Sequence, residues 1–355
     1  MIVASAMEKL ITIIIPTYNM ERYLAKCLDT LVISDENMGL LEVLVVNDGS
    51  KDASGRIAHW YEGKYPATFR VIDKENGNYG SCVNKGLQEA KGKYVKVLDA
   101  DDTFAREEFN GYVDFLKGTD ADLIVTDYAI TDADGMIKER ITFSIPKNRT
   151  CSLDDIPKAE CQWVWHQAVT YRTDNLRDIG YRQTEGISYT DEEWVFKPMV
   201  TVNSLRYYPH AIYMYLRGRE GQTYDPAVLK KDFGQIYKVT EELVDFYSKW
   251  ETQVKKNKSI STFLNGRMWL KLMIVYRFYL FKQPTKEGYE MMEVFDRELE
   301  SKSARMYQRL GDCPFRFGFH YIGQWRKGGY RKNRLSLIIY RQIYHLAKLV
   351  KRWND

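Results

Sequence analysis

The sequence predicts an α/β protein built on a doubly wound, mostly parallel sheet, followed by a helical C-terminal region. Short β-branched runs alternate four times with segments of helical spacing between residues 10 and 105. Such continuous apolar runs are typical of parallel strands that are buried on both faces. From residue 226 onward the pattern becomes helical and basic, which predicts a separate C-terminal region over 226–355.

The predicted elements follow one another in chain order. Strands are predicted in LITIIIPTYN, LEVLVVNDGS, FRVIDKENGN and KYVKVLDADD. Helices are predicted between them in MERYLAKCLDTLVI, KDASGRIAHWYEGKY and GSCVNKGLQEAKG. Each strand ends in polar residues, and ligands of open α/β sheets gather at the carboxyl ends of strands. We therefore expect a binding site at that edge. Residues 106–225 are mixed, with a hairpin-like turn at DADG.

Composition narrows the class of protein. An apolar fraction of 45% and a charged fraction of 28% are those of a soluble globular chain. The net charge of +4 is too small to indicate nucleic-acid binding over the whole surface. The 26 Tyr and 8 Trp suit a carbohydrate-handling protein and a thick core equally well. Five cysteines with neither disulfide nor zinc spacing predict reduced thiols and a cytoplasmic location.

The fourth predicted strand ends in three acids, Asp99, Asp101 and Asp102. Carboxylates this close repel one another, so either water solvates them in an ordinary turn or a cation binds among them. The first strand-to-helix turn lacks both the Gly-x-Gly-x-x-Gly loop and the P-loop. Charge neutralisation of a bound phosphate must then come from elsewhere, and a divalent metal such as Mn²⁺ or Mg²⁺ would provide it.

Four segments together resemble the family 2 glycosyltransferases, in their bacterial, non-processive form. They are IIIPTYN, VLVVNDGSKD, KENGNYGSCVNKGLQEAKGKYVKVLDADD and ISYTDEEW. The resemblance implies a GT-A type, Rossmann-like fold, with residues 1–225 as the catalytic domain. Within it, residues 1–105 would form the nucleotide-sugar half and residues 106–225 the acceptor half.

The resemblance also implies roles for individual residues on the donor side. Asp48 would bind the uracil ring, Asp99 would lie near the ribose and donor sugar, and Asp101 would be the direct metal ligand, with Asp99 beside it. Asp48 could instead be a plain turn residue, and Asp102 could orient the turn or cap the next helix. Further donor contacts are implied for Pro16, Thr17, Tyr18, Asn76, Asn84 and Lys85. Val83 stands where the family commonly has arginine, and Lys85 could equally be a solvated helix lysine.

An acceptor hydroxyl needs a base, which the family places about ninety residues after the metal motif. Asp191 occupies that position in SYTDEEWVF, Glu192 is the runner-up and Glu193 a more distant third. The alternative is an acidic helix N-terminus with Thr190 as its cap. Trp165 and His166 are candidates for the acceptor wall or for the core. Arg217 and Arg219 are candidates for a diphosphate contact or a structural salt bridge.

The segment from Gln324 to Trp353 is basic and apolar, without an acid. A basic amphipathic helix indicates a membrane surface of anionic lipid, although a helix docked on the core or a dimer contact is the alternative. The expected function is metal-dependent, inverting transfer from a UDP-sugar to a glycan or lipid-linked acceptor of a bacterial surface polysaccharide. The expected location is the cytoplasm, at the inner face of the cell membrane. A homo-oligomer is a further possibility for the assembly. A nucleotidyltransferase and a non-catalytic nucleotide-sugar-binding or scaffold protein are the rival hypotheses.

Overall fold

A computed structural model describes residues 8–219, 222, 226–315, 318–331 and 335–353. The chain forms two compact units. The first unit comprises Met1–Val239 and Thr252–Arg267, and the second comprises Thr240–Glu251 and Met268–Asp355. The domain boundary near residue 225 that the sequence indicates stays a prediction.

The first unit contains one nine-stranded sheet. Its strands are β1 (Ile11–Thr17), β2 (Leu41–Asn47), β3 (Phe69–Asp73), β4 (Tyr94–Val97), β5 (Thr103–Phe104), β6 (Leu123–Thr131), β7 (Ile137–Ile141), β8 (Val169–Arg172) and β9 (Leu205–Leu216). The strand order is β3-β2-β1-β4-β8-β6-β9-β5, with β7 paired to β6. The first four strands pair in parallel, while β8 runs antiparallel to both neighbours. The predicted mostly parallel sheet is confirmed.

Helices cover the sheet and form the second unit. Seven begin before residue 200: α1 (Leu24–Asp29), α2 (Asp35–Leu40), α3 (Ser54–Lys64), α4 (Asn78–Glu89), α5 (Arg106–Lys117), α6 (Thr173–Asp178) and α7 (Asp191–Phe196). The others are α8 (Pro226–Lys231), α9 (Phe233–Lys256), α10 (Lys258–Arg277), α11 (Lys286–Lys302), α12 (Ala304–Gly311), α13 (Tyr321–Lys327) and α14 (Leu335–Trp353). A π-helical turn, Phe278–Lys282, follows α10. Within these described ranges, no helix is long and apolar enough to cross a membrane.

The register of the parallel strands brings polar residues together at one edge. Every residue of β1 and β2 is buried, as expected for strands covered on both faces. Thr17 is opposite Asn47, and Asn47 is opposite Asp73, so the carboxyl ends of β1, β2 and β3 coincide. This is the edge at which the sequence predicts a binding site.

Two local predictions have different outcomes. The hairpin at DADG is confirmed, with Gly135 in the left-handed region (φ 80°) between β6 and β7. The helix predicted over MERYLAKCLDTLVI is shorter, limited to α1. The separate short helix α2 was not predicted, because its polar DEN start is also typical of a loop.

Candidate active site

Asp99 is held by two side chains at the carboxyl end of β4. The Tyr79 hydroxyl donates to its Oδ1 at 2.9 Å, and His166 Nε2 lies 3.2 Å from its Oδ2. Burial acts to raise the pKa of Asp99, but His166, Tyr79 and Arg219 more than offset it, so that pKa is lowered. The carboxylate is therefore kept ionised in a largely enclosed place.

Asp101 and Asp102 lie beside Asp99 but have different partners. One carboxylate oxygen of each of the three acids lies within 4.8 Å of the others. Burial raises the pKa of Asp101, and the charge of Asp99 raises it further. A divalent cation would relieve that repulsion, and oxygen ligands are those that Mn²⁺ and Mg²⁺ accept. The donor set of Asp99 and Asp101 thus fits the predicted metal.

Asp102 is held by hydrogen bonds from β9. It is 1% exposed, accepts from the Tyr213 hydroxyl at 2.7 Å, and accepts from the Leu216 backbone N–H at 2.7 Å. Both oxygens are thereby used to fix the end of β9 against the acid turn. The alternative that Asp102 caps the next helix is wrong, because Ala105 occupies the N-cap of α5. The alternative that it orients the turn agrees with these contacts.

The loop after β9 brings Arg219 to the acids. The Arg219 Nε donates to Asp101 Oδ2, and its guanidinium lies 5.7 Å from the centre of the Tyr23 ring. Gly218 before it has φ 96°, and its N–H donates to Gln222 at 2.8 Å. Arg217 is exposed and lies 5.5 Å from the Tyr215 ring. Arg219 therefore lies beside the acids, whereas Arg217 lies against the Tyr215 ring.

Asp48 lies at the carboxyl end of β2 in a small polar pocket. It is 2% exposed, and its Oδ1 accepts from Lys74 Nζ at 2.6 Å and from the Gly77 N–H at 3.0 Å. The Asn76 amide donates to the Asp48 carbonyl at 3.0 Å, which shapes the loop around it. Asp48 is therefore not a solvated turn residue, since it is buried and paired with Lys74.

The residues predicted along the nucleotide differ in exposure. Tyr18 is 46% exposed and available to stack on a ring, whereas Thr17 is 1% exposed. The Thr17 hydroxyl donates to the Ile15 carbonyl at 3.1 Å, so its side chain is used within the strand. Pro16 is buried within β1. Of these three, Tyr18 is the one whose side chain is open to a ligand.

Asn84 and Lys85 are engaged by the protein itself. The Asn84 amide donates to the Gln183 carbonyl at 2.9 Å and to Glu185 at 2.8 Å, and its oxygen accepts from the Gln183 N–H. Asn84 thus ties α4 to the loop before the predicted base. Lys85 pairs with Glu89 at 2.8 Å along α4, as a solvated helix lysine does. A direct donor contact is not favoured for either residue.

The predicted base, Asp191, is the first residue of α7. Tyr189 before it has φ 64°, an unusual backbone conformation for a residue with a large side chain, and it turns the chain into the helix. Asp191 is half-buried, and its negative charge raises the pKa of both Tyr79 and His166. It therefore lies near the two groups that hold Asp99. Thr190 is the N-cap residue, but its side chain makes no cap bond.

The two neighbouring acids are buried and paired. Glu193 accepts from the backbone and hydroxyl of Thr184, both at 2.7 Å. Glu192 is 1% exposed and accepts from Arg267 Nε at 2.9 Å and Nη2 at 3.0 Å. A buried carboxylate held by a bidentate guanidinium is a poor proton acceptor. This geometry favours Asp191 over the runner-up Glu192 and over Glu193.

Arg267 also holds the predicted acceptor wall. Its Nη1 donates to the carbonyls of Val164 at 2.8 Å and Cys161 at 3.2 Å, and its guanidinium lies 5.1 Å from the Trp165 ring. Trp165 is half-buried there, consistent with a wall position. His166 instead turns inward to Asp99 and is 5% exposed. The structure thus places His166 with the acids rather than on an open acceptor surface.

A buried lysine binds the backbone of the segment that follows His166. Lys96, on β4, is 0% exposed and donates to the carbonyls of Gln167 at 2.7 Å and Val169 at 3.1 Å. Burial lowers its pKa from 10.5 to about 7. The Lys96 nitrogen also lies 5.6 Å from the centre of the Tyr213 ring, so two carbonyl oxygens and a ring face surround this buried amine.

Replacing Lys96 with Met should change the pH dependence of stability. Between about 7 and 10.5 the unfolded chain binds a proton that folded Lys96 does not hold. The free energy of unfolding of the wild type, relative to Lys96→Met, should therefore rise as pH rises through that window. Denaturant titrations of both proteins at several pH values measure this difference. Parallel pH profiles would contradict a depressed pKa for Lys96.

Four contributing residues were not named as site residues from the sequence. Lys74 and Tyr213 pair with acids that the sequence does single out, and Arg267 lies in the region without an assigned motif. Only Lys96 had a usable signal, because a lysine inside the apolar run KYVKV must be buried if the run is a central strand.

Comparisons with known proteins show which family and which fold the chain is similar to. Residues 12–179 match the model of the family described as Glycosyl transferase family 2. A glycosyltransferase of Mycoplasma pneumoniae, the MG025 homolog, is 45% identical over 102 residues, which cover 28% of this chain and 34% of that protein. The minor teichoic acid biosynthesis protein GgaB of Bacillus subtilis is 30% identical over 171 residues, 48% of this chain and 19% of that protein. The matches thus span a third or less of these relatives.

Solved structures show the same fold over nearly the whole chain. The S. aureus TarS fragment 1–349 in complex with UDP-GlcNAc superposes with a TM-score of 0.68 and 19% identity. The alignment covers 94% of this chain and 92% of that fragment. The predicted GT-A type fold with a helical C-terminal region is confirmed. Residues 12–179 therefore form a domain that matches the family 2 glycosyltransferases.

Proposed function

We propose that the protein transfers a sugar from a UDP-sugar to an acceptor hydroxyl, with a divalent metal and with inversion at the anomeric carbon. The observation that carries the proposal is the grouping of an ionised Asp99, its neighbour Asp101 and the half-buried Asp191. The charge of Asp191 acts on Tyr79 and His166, the residues that hold Asp99. In this proposal Asp99 and Asp101 serve the donor, and Asp191 serves as the base.

On the donor side, Asp101 and Asp99 would hold the metal. When bound, the ion supplies positive charge for the departing diphosphate. Arg219, already paired with Asp101, is placed to contact the same phosphates. The buried Asp48 carboxylate would accept from the uracil N–H, and the exposed Tyr18 ring would stack nearby.

On the acceptor side, Asp191 takes the proton. The acceptor oxygen attacks the anomeric carbon, the bond from that carbon to the diphosphate oxygen breaks, and UDP leaves with the bonding electrons. The hydroxyl proton goes to the Asp191 carboxylate. A single displacement of this kind inverts the anomeric centre, and the half-buried Trp165 would pack on the acceptor sugar.

The names of the relatives support a proposed substrate class. GgaB is named for teichoic acid biosynthesis, and the TarS fragment is described with UDP-GlcNAc. These descriptions support a UDP-sugar donor and a bacterial surface polysaccharide acceptor, glycan or lipid-linked, for this chain. A lipid-linked acceptor would place the protein at the inner face of the cell membrane.

Asp101→Ala should remove metal-dependent donor binding. Loss of a direct ligand should weaken apparent Mn²⁺ affinity by at least about 100-fold, since loss of a ligand's supporting partner alone costs about 10- to 100-fold. Isothermal titration of UDP with and without Mn²⁺ measures it. Asp134→Ala is the control, because this aspartate is exposed at the β6–β7 turn. Equal Mn²⁺-dependent UDP binding by Asp101→Ala and wild type would refute the metal role of Asp101.

A further inference from the structure

One face of helix α14 packs against other residues of the second unit, to which the helix itself belongs. Leu337 is 0% exposed and Tyr340 is 5% exposed. The Tyr340 ring stacks on Phe319 at 4.6 Å between centroids and lies 6.0 Å from Phe281. The alternative of a helix docked on the protein's own core is therefore correct for this face.

Another face of the same helix carries an exposed apolar row. Leu335 is 70% exposed, Ile339 49%, Ile343 44% and Leu346 61%. Their spacing of four, four and three residues places them within an arc of about 80° on an α-helix. We call these four residues the exposed stripe. A contiguous apolar row of this kind typically marks an interaction surface.

The charge of the segment around α14 indicates which kind of partner fits the exposed stripe. Between Gln324 and Trp353 the sequence has nine Lys and Arg residues and neither Asp nor Glu. Arg326 is used internally by Asp296 at 2.6 Å, but Lys327 and Arg331 are exposed. A second copy of this segment would bring like charges together. A nucleic acid would leave the stripe uncovered, whereas an anionic lipid surface offers both negative headgroups and apolar chains.

We propose that the exposed stripe of α14 inserts into the interface of an anionic membrane, while the exposed cations Lys327 and Arg331 contact lipid headgroups. The helix would lie in the plane of the interface, because its opposite face stays packed on Phe319 and Phe281. The inference rests on the proposed function only in one respect, which is that a lipid-linked acceptor would be located at the membrane surface. Membrane binding itself needs no turnover.

Vesicle co-sedimentation of the full chain tests the proposal, without donor or acceptor. Wild type should bind phosphatidylglycerol–phosphatidylcholine vesicles and bind pure phosphatidylcholine weakly. Ile339→Glu/Ile343→Glu should lower the binding by more than about tenfold. Lys327→Glu/Arg331→Glu should lower it by at least about fivefold for each removed cation. Val294→Glu is the control, because Val294 is an equally exposed apolar residue (57%) on α11 and should leave binding unchanged.

Two results would overturn the inference. One is equal binding by Ile339→Glu/Ile343→Glu and the wild type. The other is a wild type that does not bind vesicles and sediments as an oligomer, while Ile339→Glu/Ile343→Glu sediments as a monomer. That result would make the exposed stripe a self-association surface. Neither result bears on sugar transfer, since Asp101 and Asp191 are untouched.

Discussion

Asp191→Asn should lower kcat by about 10²- to 10⁴-fold, the usual contribution of a general base, while UDP and Mn²⁺ binding stay unchanged. Asparagine keeps the size of the side chain and cannot take the acceptor proton. The burial and pairing of Glu192 and Glu193 leave neither of them able to replace it. Initial rates with a saturating donor, next to UDP titrations of both proteins, separate turnover from binding.

A matched control separates chemistry from helix electrostatics. Asp174 occupies the first turn of α6 as Asp191 does in α7, and it is exposed. Both carboxylates favour their helix dipole, typically by about 0.3–1 kcal/mol, so both Asn variants should lose similar stability. Only Asp191→Asn should lose turnover. If the two variants kept equal rates, Asp191 would be a helix-terminal acid and not the base.

Arg267→Met should destabilise the fold by about 3–5 kcal/mol, because it leaves the Glu192 carboxylate buried without its counter-ion. It should also loosen the Val164 and Cys161 carbonyls next to Trp165. Urea unfolding measures the change in the free energy of unfolding. The effect should exceed that of Lys117→Met, which removes two surface pairs, each worth about 0–1 kcal/mol.

The double variant Arg267→Met/Glu192→Met provides the decisive comparison. Removing both charges should restore most of the lost stability, since a buried ion pair and an apolar pair of similar volume are often equally stable. If the double variant were as unstable as Arg267→Met, the loss would come from the carbonyl contacts instead. In that case the pairing with Glu192 would contribute little to the fold.

Local patterns predicted the first half of the fold. β1, β2 and β4 are buried at every residue, as their continuous apolar runs predict, whereas the edge strand β3 is only partly buried. The polar ends of those strands meet because parallel strands share one carboxyl edge. The placement of Asp48 and Asp99 could therefore be predicted before any contact was known.

Contacts between distant segments could not be predicted in this way. Glu192 and Arg267 are 75 positions apart, and Asn84 and Gln183 are 99 apart, with no pattern linking either pair. His166 was a candidate for the acceptor wall or for the core, and the structure places it inward, next to Asp99, with Lys96 binding the carbonyls that follow it. Which acid in TDEEW stays accessible depends on such partners.

The most direct test of sugar transfer is UDP release by the wild type from a panel of UDP-, GDP- and dTDP-sugars, with Mn²⁺ and with EDTA. The proposal predicts that a UDP-sugar is consumed only when the metal is present and that GDP- and dTDP-sugars are spared. Asp48 is expected to accept from the uracil N–H, and Asp99 and Asp101 are expected to need the ion. If no nucleotide sugar is consumed or bound in either condition, the acids form a structural turn and the proposed transfer is wrong.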